Sequence, residues 1–241
     1  MNDIKQRYEE VQMRMRAAAE RAKRPFSSIT LVAVTKRWPV EVLLAARDAG
    51  MSDIGENRAE EMVEKQPAFA GDESIVWHFI GALQSRKTNL IADHADTFHA
   101  LDRIKIARRL SKRLVENGRT LPVFLEVNIS GEASKSGFVA DKWADDATQR
   151  DALRKVVQET AVLPGLQLQG LMTMAPFGAP EAEIRDIFRR TRELSDWLQA
   201  EFPDLTLDQL SMGMTDDFEI AIEEGATHIR VGRALFGERN Y

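Results

Sequence analysis

Cysteine is absent from the 241-residue chain, which excludes disulfides, thiolate metal sites and cysteine nucleophiles together. Tyrosine is nearly absent: Tyr8 and Tyr241 stand at opposite ends of the sequence. The four histidines, His78, His94, His99 and His228, are scattered, and none sits at zinc-motif spacing, so no metal site is expected. No apolar run approaches a membrane span. Residues 1–24 are charged throughout and lack the apolar core of a signal peptide, which points to a cytoplasmic protein without membrane contact. Lys and Arg number 33 against 38 Asp and Glu, and the resulting charge of −5 argues against nucleic acid as a partner.

What the chain does have is a regular alternation of apolar, β-branched runs with amphipathic stretches. A helix is predicted over residues 3–23, with Ile4, Tyr8, Val11, Met15 and Ala18 on one stripe. Strands are predicted at 30–35, 51–55, 75–80, 97–101, 122–129, 166–174, 206–211 and 228–232. Helices are predicted at 39–49, 57–66, 84–94, 102–116, 141–161, 180–201 and 215–224, with a short final helix from Arg233. Residues 67–74 and 130–137 read as loops. Strands each followed by a helix imply parallel units with right-handed crossovers. Eight of them close as a (β/α)8 TIM barrel of the α/β class, here with an extra N-terminal helix and one domain spanning 1–241. The rival is an open doubly wound sheet, but no Gly-rich dinucleotide fingerprint follows the first strand. The basic residues of helix 102–116, Arg103 to Arg113, read as the solvated face of an outer helix.

The first strand organises the rest. Leu31 to Val34 form an uninterrupted apolar run, and Pro39 stands where a helix would begin, so Lys36 lies at the carboxyl end of a buried strand. Ligands bind at that end in parallel α/β folds. Most strand-end lysines point into water; the alternative is a partly desolvated amine able to attack a carbonyl. Phosphate often sits on the loops after the last two strands of such barrels. Ser211-Met212-Gly213-Met214-Thr215 and Gly232-Arg233 supply a hydroxyl, close backbone approach and charge at those places. Acidic Asp216-Asp217 would repel a dianion there, which moves the expected phosphate toward Gly232-Arg233, with Thr215 read as a helix N-cap. Strand alternation puts His228, Arg230 and Gly232 on one face, so Arg230 should point into the barrel. A salt bridge to Glu56 or Glu126 and a contact to an aromatic nitrogen of a cofactor are both open for it.

These residues stand in order with further motifs: Gly55-Glu56-Asn57-Arg58, Trp77-His78-Phe79-Ile80-Gly81, Leu83-Gln84-Ser85, Val127-Asn128-Ile129-Ser130-Gly131-Glu132 and Gly170-Leu171-Met172-Thr173-Met174. Taken together, from Met1 to Tyr241, they resemble the pyridoxal phosphate homeostasis protein family, related to the barrel of alanine racemase (fold type III of the pyridoxal phosphate proteins). Ala82 and Arg233 depart from common family usage, which has a polar residue and often Thr at these positions.

The resemblance implies that Lys36 carries pyridoxal 5′-phosphate (PLP) as a Schiff base and that Ser211, Gly232 and Arg233 hold its phosphate, to which Gly213 is added as a cofactor-binding candidate for the close backbone approach it allows. It further implies that Arg230 faces the pyridine nitrogen and Asn57 lines the site. An arginine only donates, so it leaves that nitrogen unprotonated and weakens the ring as an electron sink. The two tyrosines lie at the chain ends, and the second domain that supplies a racemase tyrosine has no counterpart here, which disfavours a two-base racemase. The expected role is a PLP carrier or buffer in vitamin B6 and amino-acid homeostasis, with no dedicated catalytic residue and with PLP-dependent apo-enzymes as recipients. A monomer is expected, with a dimer open. A low-activity PLP-dependent racemase or lyase is the first alternative, and a Schiff-base aldolase barrel a weaker second.

Overall fold

The computed structural model describes residues 2–238. Helix α1 (Asn2–Arg21) comes first, followed by β1 (Thr30–Val34), α2 (Val40–Asp48), β2 (Asp53–Glu56), α3 (Ala59–Lys65) and β3 (Val76–Phe79). Next are α4 (Thr88–His94), β4 (Thr97–Leu101), α5 (Ile104–Asn117), β5 (Leu121–Asn128), β6 (Phe138–Val139) and α6 (Ala147–Ala161). The last third holds β7 (Leu166–Met172), α7 (Glu181–Glu201), β8 (Gln209–Ser211), α8 (Phe218–Glu223), β9 (His228–Val231) and α9 (Arg233–Phe236).

Strands run side by side in the order β4-β3-β2-β1-β9-β8-β7-β5, and β5 pairs back onto β4. Every pairing is parallel, because each return to the sheet passes through a helix or a long loop. The result is the closed eight-stranded barrel that the alternation predicts. Strand β6 is an addition: two residues pairing with Val127 and Asn128 at the end of β5, outside the closed ring. The predicted loop at 130–137 leads directly into it.

Several helices start later than their periodicity suggests. The helix predicted from residue 141 begins at Ala147, where the Asp146 carboxylate caps it by accepting the Thr148 N–H. The stretch at 84–94 divides into a 3-10 turn, Ser85–Lys87, and α4. A capping side chain fixes a helix start more strongly than the apolar stripe does.

Packing follows the predicted stripes. Val11, Met15 and Ala18 of α1 are buried, while Ile4 and Tyr8 pack at the margin. Arg14 and Arg21 then tie α1 to Glu219 and Glu223 of α8. On α5 the apolar face of Ile106, Ala107, Leu110 and Leu114 is buried. Lys105, Arg108, Arg109 and Lys112 form its exposed, solvated face, with Arg108 paired to Glu159 and the half-buried Arg113 to Asp93. Gly170 explains one motif: a Cβ there would lie 1.9 Å from the carbonyl oxygen of Gln209, so β7 and β8 meet only across a glycine. Among the described residues no helix is long and apolar enough to cross a membrane.

Candidate functional site

The carboxyl ends of the strands surround a cavity of about 590 Å³. Five of the seven predicted site residues line it: Lys36 beyond β1, Asn57 beyond β2, and Arg230, Gly232 and Arg233 at the end of β9. Apolar wall comes from Val34, Trp38, Ile80 and Met214, with Met174 and Phe177 at the rim. Gly81 permits the wall to close, since a Cβ there would lie 2.3 Å from the carbonyl oxygen of Asn57. Tyr241 lies outside the described residues, and Tyr8 sits at the other end of the barrel, its hydroxyl against the Gly50 carbonyl.

Lys36 is half-buried, two residues past β1, and both of its neighbours are pinned. Thr35 donates its N–H to the Gly55 carbonyl and its hydroxyl to Glu56 Oε1 at 2.7 Å. Lys65, on α3, donates to the Thr35 carbonyl at 3.0 Å and to Glu56 and Glu61 at 2.7 Å each. Glu61 also accepts the N–H of Arg37, whose φ of 64° turns the chain sharply. One ammonium and two carboxylates thus clamp the backbone on either side of Lys36. Burial pushes the Glu56 carboxyl up, against the hydrogen bonds from Lys65 and Thr35, so the pair is tightly interdependent. Lys65 was not legible as a site residue; its only signal is that a buried Glu56 needs a cation.

Arg230 does point inward, as alternation requires, and it is buried. Its partners are neither of the two acids considered for it. Glu56 is committed to Lys65, and Arg230 instead donates to Ser211 Oγ at 2.6 Å and to the Thr173 carbonyl at 2.9 Å. Burial lowers its pKa to about 10, partly opposed by the charges of Asp217 and Glu126, so it stays cationic at neutral pH. Glu126, also buried, is raised to about 7 by burial and by Asp102, against the pull of Arg230.

Ser211 and Gly213 do not line the cavity. Ser211 is fully buried beneath it, its hydroxyl held between Arg230 and His99 Nδ1 at 2.7 Å. A Cβ on Gly213 would lie 2.5 Å from Ala221 Cβ, so that residue serves the packing of α8. The turn after β8 carries Thr215 to the mouth in place of Ser211, and Thr215 Oγ1 accepts the Gly232 N–H at 3.3 Å. The N-cap of α8 is Asp217 instead of Thr215. Asp216 holds Arg233 in an ion pair at the rim. Three of the four scattered histidines also meet inside the barrel: the ring centroids of His78, His99 and His228 lie 5.1 to 6.2 Å apart. Each is carried inward by strand alternation, a signal followed in the sequence for His228 but not for His78 and His99.

Comparison with known proteins shows the family of the chain. The pyridoxal phosphate homeostasis protein of Pseudomonas aeruginosa is 43% identical over 241 residues, covering 100% of this chain and 98% of that one. Its counterpart in Pasteurella multocida is 41% identical over 239 residues, covering 99% and 98%. The chain belongs to the pyridoxal phosphate homeostasis protein family. Residues 8–240 of this family member also match the alanine racemase N-terminal domain. Among solved structures, PipY of Synechococcus elongatus PCC7942 with PLP bound is 33% identical, with a TM-score of 0.81, covering 97% of this chain and 100% of that one.

Proposed function

We propose that the cavity at the carboxyl mouth of the barrel holds PLP, with Lys36 as the covalent anchor, and that the chain serves PLP and amino-acid homeostasis as a carrier. The observation that carries this reading is the clamp on Lys36. It presents the only lysine of the described cavity wall, opposite a turn of phosphate-binding character. When bound, PLP supplies an electrophilic aldehyde carbon that a lysine amine takes up reversibly, and a phosphate that anchors the far end.

The residues present fit that group. A volume of about 590 Å³ lies within the usual range of small-molecule sites, and the wall mixes apolar faces with a few convergent polar groups. Arg230, donor only and cationic, would face the ring nitrogen and leave it without a proton, which favours holding the cofactor over turning substrate over. Gly232, the leading N–H groups of α9 and Thr215 would take the phosphate. Arg233 is second in that set, since Asp216 already occupies it. Ser211 supports Arg230 from below. The mouth is open, with Phe177 87% exposed at its rim, as release of a carried cofactor requires.

The test is transfer. PLP-loaded protein mixed with an apo-enzyme should restore that enzyme's activity, and an equally treated Lys36→Ala preparation should restore none. Saturable inversion of amino-acid chirality by the loaded protein, lost in Lys36→Ala, would replace the carrier reading with an enzymatic one.

A further inference from the structure

A continuous hydrogen-bonded chain crosses the barrel interior from its amino-terminal end to the cavity. Asp53, at the start of β2, meets His78 Nε2 at 3.0 Å, and His78 Nδ1 meets His99 Nε2 at 2.9 Å. His99 Nδ1 meets Ser211 Oγ at 2.7 Å, which in turn accepts from Arg230 at 2.6 Å. Asp53 is partly exposed, but His78, His99, Ser211 and Arg230 are buried, so each proton along the line must find its partner within it.

Chemistry orders those protons. Arg230 can only donate, and no other partner of the Ser211 hydroxyl occurs among the described residues, so Ser211 accepts from Arg230 and donates onward to His99 Nδ1. His99 then carries its proton on Nε2 and donates to His78 Nδ1. His78 carries its own on Nε2 and donates to the Asp53 carboxylate. Reversing the line would face an unprotonated nitrogen of His78 with a carboxylate, or leave Ser211 without an acceptor. His99 is surrounded by His78 of β3, by His228 and Arg230 of β9, and by the stacked ring of Phe124 of β5. Among the described residues no carboxylate stands against it, and burial followed by these cationic or ionisable neighbours holds it neutral. Asp53 is held charged: burial opposes its ionisation, but hydrogen bonds from His78 and Ser52 outweigh that and keep it below the ordinary range.

We propose that Asp53, His78, His99 and Ser211 form a one-way relay of hydrogen bonds that positions Arg230 and leaves its remaining N–H donors for the cofactor ring. These four are positioning residues, and Asp53 sets the direction of the whole line from the opposite end of the barrel. The inference rests on the PLP reading above for its last link, while the order of the protons belongs to the PLP-free chain and is tested there.

Full-length protein labelled with ¹⁵N-histidine gives that test, since only four histidines contribute. His99 should show the neutral, Nε2-protonated pattern from about pH 5.5 to 8.5, and His78 should carry a proton on Nε2 toward Asp53. Protonation of His99 on Nδ1, or its titration within that window, would overturn the relay. The second measurement loads Asp53→Asn with PLP. Loss of the fixed carboxylate should weaken PLP retention about tenfold and move the visible absorption maximum or its pH midpoint, although the substitution lies far from the mouth. A purely structural Asp53 would lower the melting temperature and leave the spectrum in place. A folded Asp53→Asn with unchanged spectrum and affinity therefore overturns the positioning role. Wild-type protein that takes up no PLP overturns the function proposed above and, with it, this last link; the histidine tautomers are read independently of that result.

Discussion

Replacing Glu126 by glutamine should stabilise the protein, and by an amount that depends on pH. The carboxyl is 4% exposed, and its pKa rises from the ordinary 4.5 to about 7 through burial and the nearby Asp102, against the attraction of Arg230. A carboxyl whose folded pKa lies above its unfolded value contributes most when protonated, so its contribution is full below pH 4.5 and lost as pH rises through 7. At about 1.4 kcal/mol per pH unit, the interval between the two values corresponds to about 3 kcal/mol at pH 8 and less than about 1 kcal/mol at pH 5. Glutamine keeps the shape and never ionises, so Glu126→Gln should gain that difference. For a chain of this length the gain amounts to about 6–12 °C in melting temperature at pH 8. Denaturant or thermal unfolding of PLP-free wild type and variant, run at both pH values, reads it directly. A gap between variant and wild type that is the same at pH 5 and pH 8, or a glutamine variant less stable at pH 8, would refute the burial argument.

The clamp on Lys36 makes a second prediction: Lys65→Met strands a buried Glu56 and should cost about 3–5 kcal/mol in urea unfolding, most of it recovered in the Lys65→Met/Glu56→Gln double variant. Gly81→Ala places a methyl 2.3 Å from the Asn57 carbonyl oxygen and should destabilise by about 1–3 kcal/mol while lowering PLP uptake, both read on one purified sample by melting and absorbance. Thr215→Ala should weaken PLP about tenfold in equilibrium dialysis but leave pyridoxal, which lacks the phosphate, unaffected. Ser211→Ala should weaken both ligands alike, since it acts through Arg230; selective loss of PLP would return Ser211 to the phosphate.

The barrel was legible because burial imposes its own period. Leu31 to Val34 and the run from Val123 to Val127 could hardly be anything but covered parallel strands, and the inward face of Arg230 follows from the same alternation. Lys36, Gly232 and Arg233 were legible because the carboxyl ends of parallel strands converge wherever the barrel closes, while Asn57 came only from the family resemblance. Ser211 and Thr215 were harder to tell apart, because the turn at Gly213 decides which hydroxyl reaches the mouth. Lys65 and the histidine line were hidden for another reason. Their partners lie on different elements, Lys65 with Glu56 across β2 and α3, His99 with Ser211 across β4 and β8, and spacing along one chain carries no record of such pairs.

The central claim is that Lys36 anchors PLP, and borohydride reduction tests it most directly. Wild-type protein loaded with PLP should be yellow, bleach on reduction, and retain a phosphopyridoxyl mass on the peptide containing Lys36, while Lys36→Ala should show none of these. A protein that takes up no PLP, or one that carries the reduced label on a different lysine, would contradict the account.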